Sequence, residues 1–184
     1  MSAGLLLFPG AGSSSGHSSL VAIEHAVTPR RCVRADFPYR RAGRRAPDRA
    51  PVLIQAVVDE AATLGPGPLV LGGRSMGGRM CSMAVADGLV PNAVGLALVS
   101  YPLHPPGRPD RLRVEHLPRI EVPCLFVHGT RDTFGTPDEL ERWTATIPGA
   151  PASVTHVWID RAGHDLKGAD DRVAAAVAEW LEGR

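Results

Sequence analysis

Short apolar runs alternate with segments of helical period along this chain, and no other feature restricts its fold as strongly. Strands that are each followed by a helix return to the sheet in the same direction, so the pattern predicts an α/β domain on a mainly parallel sheet. The strand candidates are residues 5–8, 32–37, 69–72, 94–100, 124–128 and 154–159. Leu53, Ala56, Val57, Ala61 and Leu64 recur at helical spacing behind Pro51, and Val173, Val177, Trp180 and Leu181 form a second apolar stripe. In TPDELERWTATI, Thr136 is expected as N-cap, Pro137 as first helical residue and Glu139 as closure of a capping box, with Leu140, Trp143 and Ile147 on one face. The 184 residues, 44% hydrophobic and 21% charged, suit one domain spanning 1–184.

A formal net charge of +1 argues against a nucleic-acid partner. No stretch approaches the roughly 18 consecutive apolar residues that span a bilayer, so no membrane partner is expected either. The opening MSAGLLLFPGAG lacks a basic flank and a cleavage pattern, and reads as the first strand of a cytoplasmic protein. Cys32, Cys81 and Cys124 show neither C-x-x-C spacing nor histidines placed for zinc, so reduced, buried thiols are expected and no metal or cofactor is implied.

Within LVLGGRSMGGRM, Gly73-Arg74-Ser75-Met76-Gly77 stands between a buried strand and a helix carrying Met80, Met83 and Ala84 at core spacing. A nucleophile elbow needs that setting, because the sharp turn lifts the serine hydroxyl clear of the backbone and brings strand and helix so close that flanking residues must be small. Gly73 and Gly77 meet the demand, although a glycine-rich turn with an inert serine has the same outline. A serine hydroxyl is a weak nucleophile until a base takes its proton and an acid orients that base. Asp132 follows the fifth strand candidate and His164 follows the sixth, both where side chains reach the sheet's carboxyl edge. Asp138 is the alternative acid, but its place in the first turn of a helix already accounts for it. An oxyanion hole would use the amide of Met76 and, from the loop FPGAGSSSGHSSL after the first strand, that of Ala11. A short helix should begin near Ser19, burying Leu20, Ile23 and Val27.

The segments FPGAG, DFPYR, GGRSMGGRM, YPLHPPGRPDRLRVEHL, HGTRDTFGT and AGHDLK together resemble the small bacterial α/β-hydrolases of the dienelactone-hydrolase-like branch. Their eukaryotic relatives include a testis-expressed protein and a subunit of the NSL histone-acetyltransferase complex. The resemblance implies a compact α/β-hydrolase fold, a mainly parallel six-stranded sheet with helices on both faces and no lid domain, with Ser75, Asp132 and His164 in the triad positions. Two departures stand out: Pro9-Gly10 where such proteins usually have His-Gly, and a chain that opens at what would be the third strand of the full fold.

Without a lid, substrate selection falls to the loops at the carboxyl edge. Tyr101 and His104 on the proline-rich turn, Phe134 and His17 are candidate walls, and Arg40, in the basic stretch 40–49, is a candidate for anion recognition. The expected activity is that of a carboxylesterase-like serine hydrolase acting on a small-molecule acyl substrate. Two alternatives stay open: an idle hydrolase fold serving as a protein-binding scaffold, and a cofactor-free perhydrolase on the same triad.

Overall fold

The structure, a computed structural model, describes residues 2–150 and 152–182. In chain order the elements are β1 (Gly4–Phe8), α1 (Ser18–Ala26), β2 (Cys32–Arg34), α2 (Pro38–Arg41), α3 (Ala50–Thr63), β3 (Leu69–Arg74), α4 (Met76–Ala86), β4 (Ala93–Val99), β5 (Cys124–Gly129), α5 (Pro137–Thr144), β6 (Val154–Ile159) and α6 (Asp170–Glu182). The six strands form one sheet in the order β2-β1-β3-β4-β5-β6, with every pairing parallel.

A parallel sheet covered on both faces needs apolar side chains at successive positions, and the strands supply them. Leu6, Phe8, Leu71, Leu98 and Phe126 face one core with Leu53, Val57, Met80 and Leu140 from α3, α4 and α5. Leu5, Leu7, Val70, Val99 and Leu125 face the other with Leu20 and Ile23 of α1 and Val173, Val177 and Trp180 of α6. The chain leaves β1 toward one edge and returns at β3 toward the other. The carboxyl ends of β1 and β3 are therefore the switch point of the sheet, the place where such sheets take ligands.

The second strand is shorter than expected. Pro38 fits the first turn of a helix, so the strand stops at Arg34 and Phe37 becomes the N-cap of α2. Phe37 still enters the core, stacking on Phe8 with ring centroids 4.7 Å apart. The basic stretch that follows is tied down by its own ion pairs, Arg41 with Glu60 of α3 and Arg44 with Asp48. Between β4 and β5, residues 100–123 hold a single 3-10 turn, Leu117–Arg119, and pack Tyr101, Leu103, Leu117 and Ile120 into the core, so no lid is built there. Cys81 and Cys124 are buried, while Cys32 is half-buried with its thiol pushed up to about 12, chiefly by burial. No described helix is long and apolar enough to cross a membrane.

Candidate active site

The turn after β3 is forced by close packing. A Cβ on Gly73, whose φ is +147°, would lie 2.1 Å from the carbonyl oxygen of Phe8, and one on Gly77 would lie 2.3 Å from the same atom. Only glycine lets β3 and α4 approach β1 so closely. Between them Ser75 has φ 50° and ψ −117°, a conformation that costs a non-glycine residue about 1–3 kcal/mol and survives only when its surroundings impose it. Here the imposition is visible: Ser75 N donates to Val99 O at 2.8 Å, and Arg79 N donates to Ser75 O at 3.0 Å. Its hydroxyl thereby stands at the carboxyl edge of the sheet, just past β3.

Two further loops converge on it. After β5, Asp132 N donates to Gly129 O at 3.1 Å, and the following turn carries the carboxylate inward, where its side chain is 0% exposed. The loop after β6 lies against the end of β5 so tightly that a Cβ on Gly129 would be 2.4 Å from Ala162 O. Arg131 N donates to Ala162 O at 2.9 Å, fastening the two loops together. This contact carries His164 to the carboxylate, and Arg74 then grips the histidine's main chain, donating to its carbonyl at 2.8 Å. His164 Nδ1 stands 2.8 Å from Asp132 Oδ2, and His164 Nε2 stands 2.8 Å from Ser75 Oγ. A carboxylate can only accept, so Nδ1–H is the donor, Nε2 is left bare, and the serine hydroxyl donates to it.

The loop after β1 closes over the same point. Gly10 sits so close to the elbow that a Cβ there would be 3.4 Å from Ser75 Cβ, and Ser13 N donates to Gly10 O at 3.2 Å to form a turn with Ala11 and Gly12 at its tip. The serines beyond it are not a loose connection. Ser15 donates through its amide and its hydroxyl to Asp36, at 2.7 and 2.9 Å, while Arg34 donates to the Ser15 carbonyl. Met76 is the first residue of α4, and its amide has no acceptor within the helix.

The candidate pocket walls fare differently. Tyr101 is 1% exposed, packed edge-on against Phe126, with its hydroxyl 3.1 Å from His116 Nε2; it lines no open surface because burial of its ring in the core wins. His104 is also buried, its Nδ1 donating to Pro105 O at 2.8 Å. His17 caps α1, its Nδ1 accepting from the Ser19 amide at 3.3 Å, and burial followed by the charge of Arg74 lowers its pKa. Arg40 is half-buried on α2, and no described contact joins it to Ser75, Asp132 or His164. Phe134 does reach the site, but its ring lies on the imidazole of His164 with centroids 3.9 Å apart.

Two histidines outside the expected set support the arrangement. His128, fully buried on β5, donates from Nε2 to Gly135 O at 2.9 Å, and the same nitrogen lies 3.4 Å from Asp132 Oδ2. Burial outweighs the neighbouring carboxylate and lowers its pKa, so the ring is neutral. A histidine inside the apolar run CLFVHG was the sequence signal for it. His116 lies behind α4, with Nε2 2.8 Å from Ser82 Oγ, and burial above all pushes its pKa down to about 4. Among the described residues no three His, Cys, Asp or Glu side chains gather as a metal site would require.

A family model described as an alpha/beta hydrolase domain matches residues 1–179. A solved structure from Xanthomonas campestris pv. campestris, assigned to the alpha/beta hydrolase superfamily, aligns with a TM-score of 0.76 at 22% identity, covering 99% of both chains. Dienelactone hydrolase from Anabaena variabilis aligns at 0.75 and 21% identity over 99% of this chain and 87% of its own. Monoacylglycerol lipase from Paleococcus ferrophilus aligns at 0.76 and 16% over 97% and 93%. At such identities the likeness is one of fold.

Proposed function

The chain belongs to the alpha/beta hydrolase domain family, and on that premise we propose that it is a serine hydrolase cleaving an ester or related acyl bond through an acyl-enzyme on Ser75. The observation that carries the reading is the unbroken relay of two 2.8 Å hydrogen bonds from Asp132 through His164 to Ser75. A fold kept only for binding has no need of a strained serine, a bare imidazole nitrogen and a buried carboxylate in line.

In the first half of the cycle Ser75 Oγ attacks the carbonyl carbon while His164 Nε2 takes the hydroxyl proton, and Asp132 stabilises the resulting imidazolium. Negative charge gathers on the carbonyl oxygen, beside the amides of Met76 and Ala11, which serve as its hydrogen-bond donors. Collapse of this intermediate breaks the bond to the leaving group, which departs with the proton from His164. In the second half water attacks the acyl carbon, its proton passing to His164 and on to Ser75 Oγ as the acid is released. The substrate is a small acyl compound whose carbonyl is received at the carboxyl ends of β1 and β3.

A fluorophosphonate probe tests the reading, because an activated serine displaces fluoride from phosphorus as it would a leaving group from carbon. Intact-mass measurement and peptide mapping should find one adduct, on Ser75, and none in Ser75→Ala. Folded protein that is not labelled, or a Ser75→Ala variant still labelled elsewhere, would remove Ser75 as nucleophile.

A further inference from the structure

Phe134 meets both His164 and the carboxylate that His164 is paired with. Its amide donates to Asp132 Oδ1 at 2.8 Å, and its ring stacks on His164 with centroids 3.9 Å apart and planes 25° from parallel. Neither contact is incidental to a loose loop. His104 N donates to Phe134 O at 3.2 Å, His128 Nε2 donates to Gly135 O at 2.9 Å, and Thr136 begins the capping box of α5, so the residue is held from both sides. On its other side Gly135 packs against Leu103, whose Cδ1 would be 3.0 Å from a Cβ there.

We infer that Phe134 is a positioning residue for the hydrolytic reaction, acting through His164 rather than as a wall that binds substrate. This rests on the proposed role of His164 as base. The ring covers one face of the imidazole, so His164 cannot turn about its Cβ–Cγ bond without giving up the stack, and both of its nitrogens stay aimed at Asp132 and Ser75. The same face is closed to water, which strengthens the hydrogen bond to Asp132. When the serine proton arrives, the new positive charge lies over an aromatic face, whose quadrupole attracts it. Each effect is greater in the transition state than with substrate merely bound, so the stack acts on turnover and not on affinity.

The two roles separate in the kinetics. A wall residue, once truncated, raises the concentration needed for half-saturation and leaves the maximal rate alone; a residue that supports the base does the reverse. Saturation labelling with the fluorophosphonate probe gives KI and kinact for wild type, Phe134→Leu, Phe134→Met and Phe134→Tyr. Phe134 is half-buried, so these changes spare the core, and unchanged circular dichroism and melting temperature establish that each variant is folded. If one aliphatic variant does not fold, the other carries the comparison. The expected result is that kinact falls about 3- to 30-fold in the leucine and methionine variants with KI within about twofold, while tyrosine, which keeps an aromatic face on the imidazole, stays near wild type. An aliphatic variant as fast as wild type, a change confined to KI, or a tyrosine variant as slow as leucine would overturn the inference while Ser75 remains the nucleophile. Failure of the wild type to label would instead overturn the nucleophile assignment, and the role of Phe134 with it.

Discussion

Asp132 accepts short hydrogen bonds from two donors with different fates in the proposed cycle: the Phe134 amide, which never changes, and His164 Nδ1, whose ring gains and loses charge. With asparagine in its place, one side of the group becomes a donor, and the imidazole is free to take the wrong tautomer. Asp132→Asn should therefore stay folded, with a melting temperature within a few degrees of wild type, and lose up to about 10⁴ in turnover of whatever ester a substrate panel identifies. Asp138→Asn removes only a first-turn acid of α5 and should cost about 0.3–1 kcal/mol with activity nearly whole. If it is Asp138→Asn that abolishes turnover, the acid is misassigned. The convergence of Ser75, Asp132 and His164 was legible because each sits in a local pattern, small residues around a turn or a polar residue just beyond an apolar run. Tyr101 and His104 were misread because polar atoms in a proline-rich loop look exposed. What buries the tyrosine is tertiary, since Phe126 and His116 meet it from distant parts of the chain, while His104 turns its Nδ1 onto the neighbouring Pro105 carbonyl.

At the scale of elements, α5 begins as its sequence announces. Thr136 Oγ1 accepts from the Glu139 amide at 3.3 Å, and the Glu139 carboxylate accepts from the Thr136 amide at 2.8 Å. The cap also secures the turn that holds Asp132 and Phe134. Thr136→Ala should lower stability by about 1 kcal/mol, measured by urea denaturation, and should reduce labelling of Ser75 far less than Asp132→Asn does. An effect below about 0.3 kcal/mol would mean that packing of Leu140 alone maintains the helix start. The α2 region was harder to read, because DFPYR is apolar enough to prolong a strand. The deciding fact is the proline, whose fixed φ and missing amide suit the first turn of a helix better than a sheet ladder. Glycines at 73 and 77 were expected from the close approach of strand and helix; in the structure it is the carbonyl of Phe8, on β1, that occupies the space any side chain at either position would need.

Over the whole molecule, buried histidines set the response to acid. His116 has an ordinary value of 6.5 when unfolded and about 4 when folded, so between those limits the unfolded chain binds a proton that the native protein refuses. Stability is then fully present above about pH 6.5 and declines as pH falls toward 4, by up to about 3 kcal/mol from this residue. His17, His128 and His156 are lowered too, burial being the largest cause in each, and act in the same direction. Urea midpoints between pH 4 and 7.5 should fall on the acid side, and His116→Gln should flatten part of that slope; an identical slope in the variant would clear His116 of the role. The relay from Asp132 to Ser75 has a consequence at this scale as well. Ser75 and His164 stand 89 positions apart, Asp132 and His164 stand 32 apart, and the loops that unite them grow from β3, β5 and β6. No fragment of the sheet short of β6 brings the three together. On the role proposed for Ser75, its hydroxyl stays ordinary until the last pairing of strands is made, so during refolding the onset of serine reactivity would mark the moment when the whole architecture has closed.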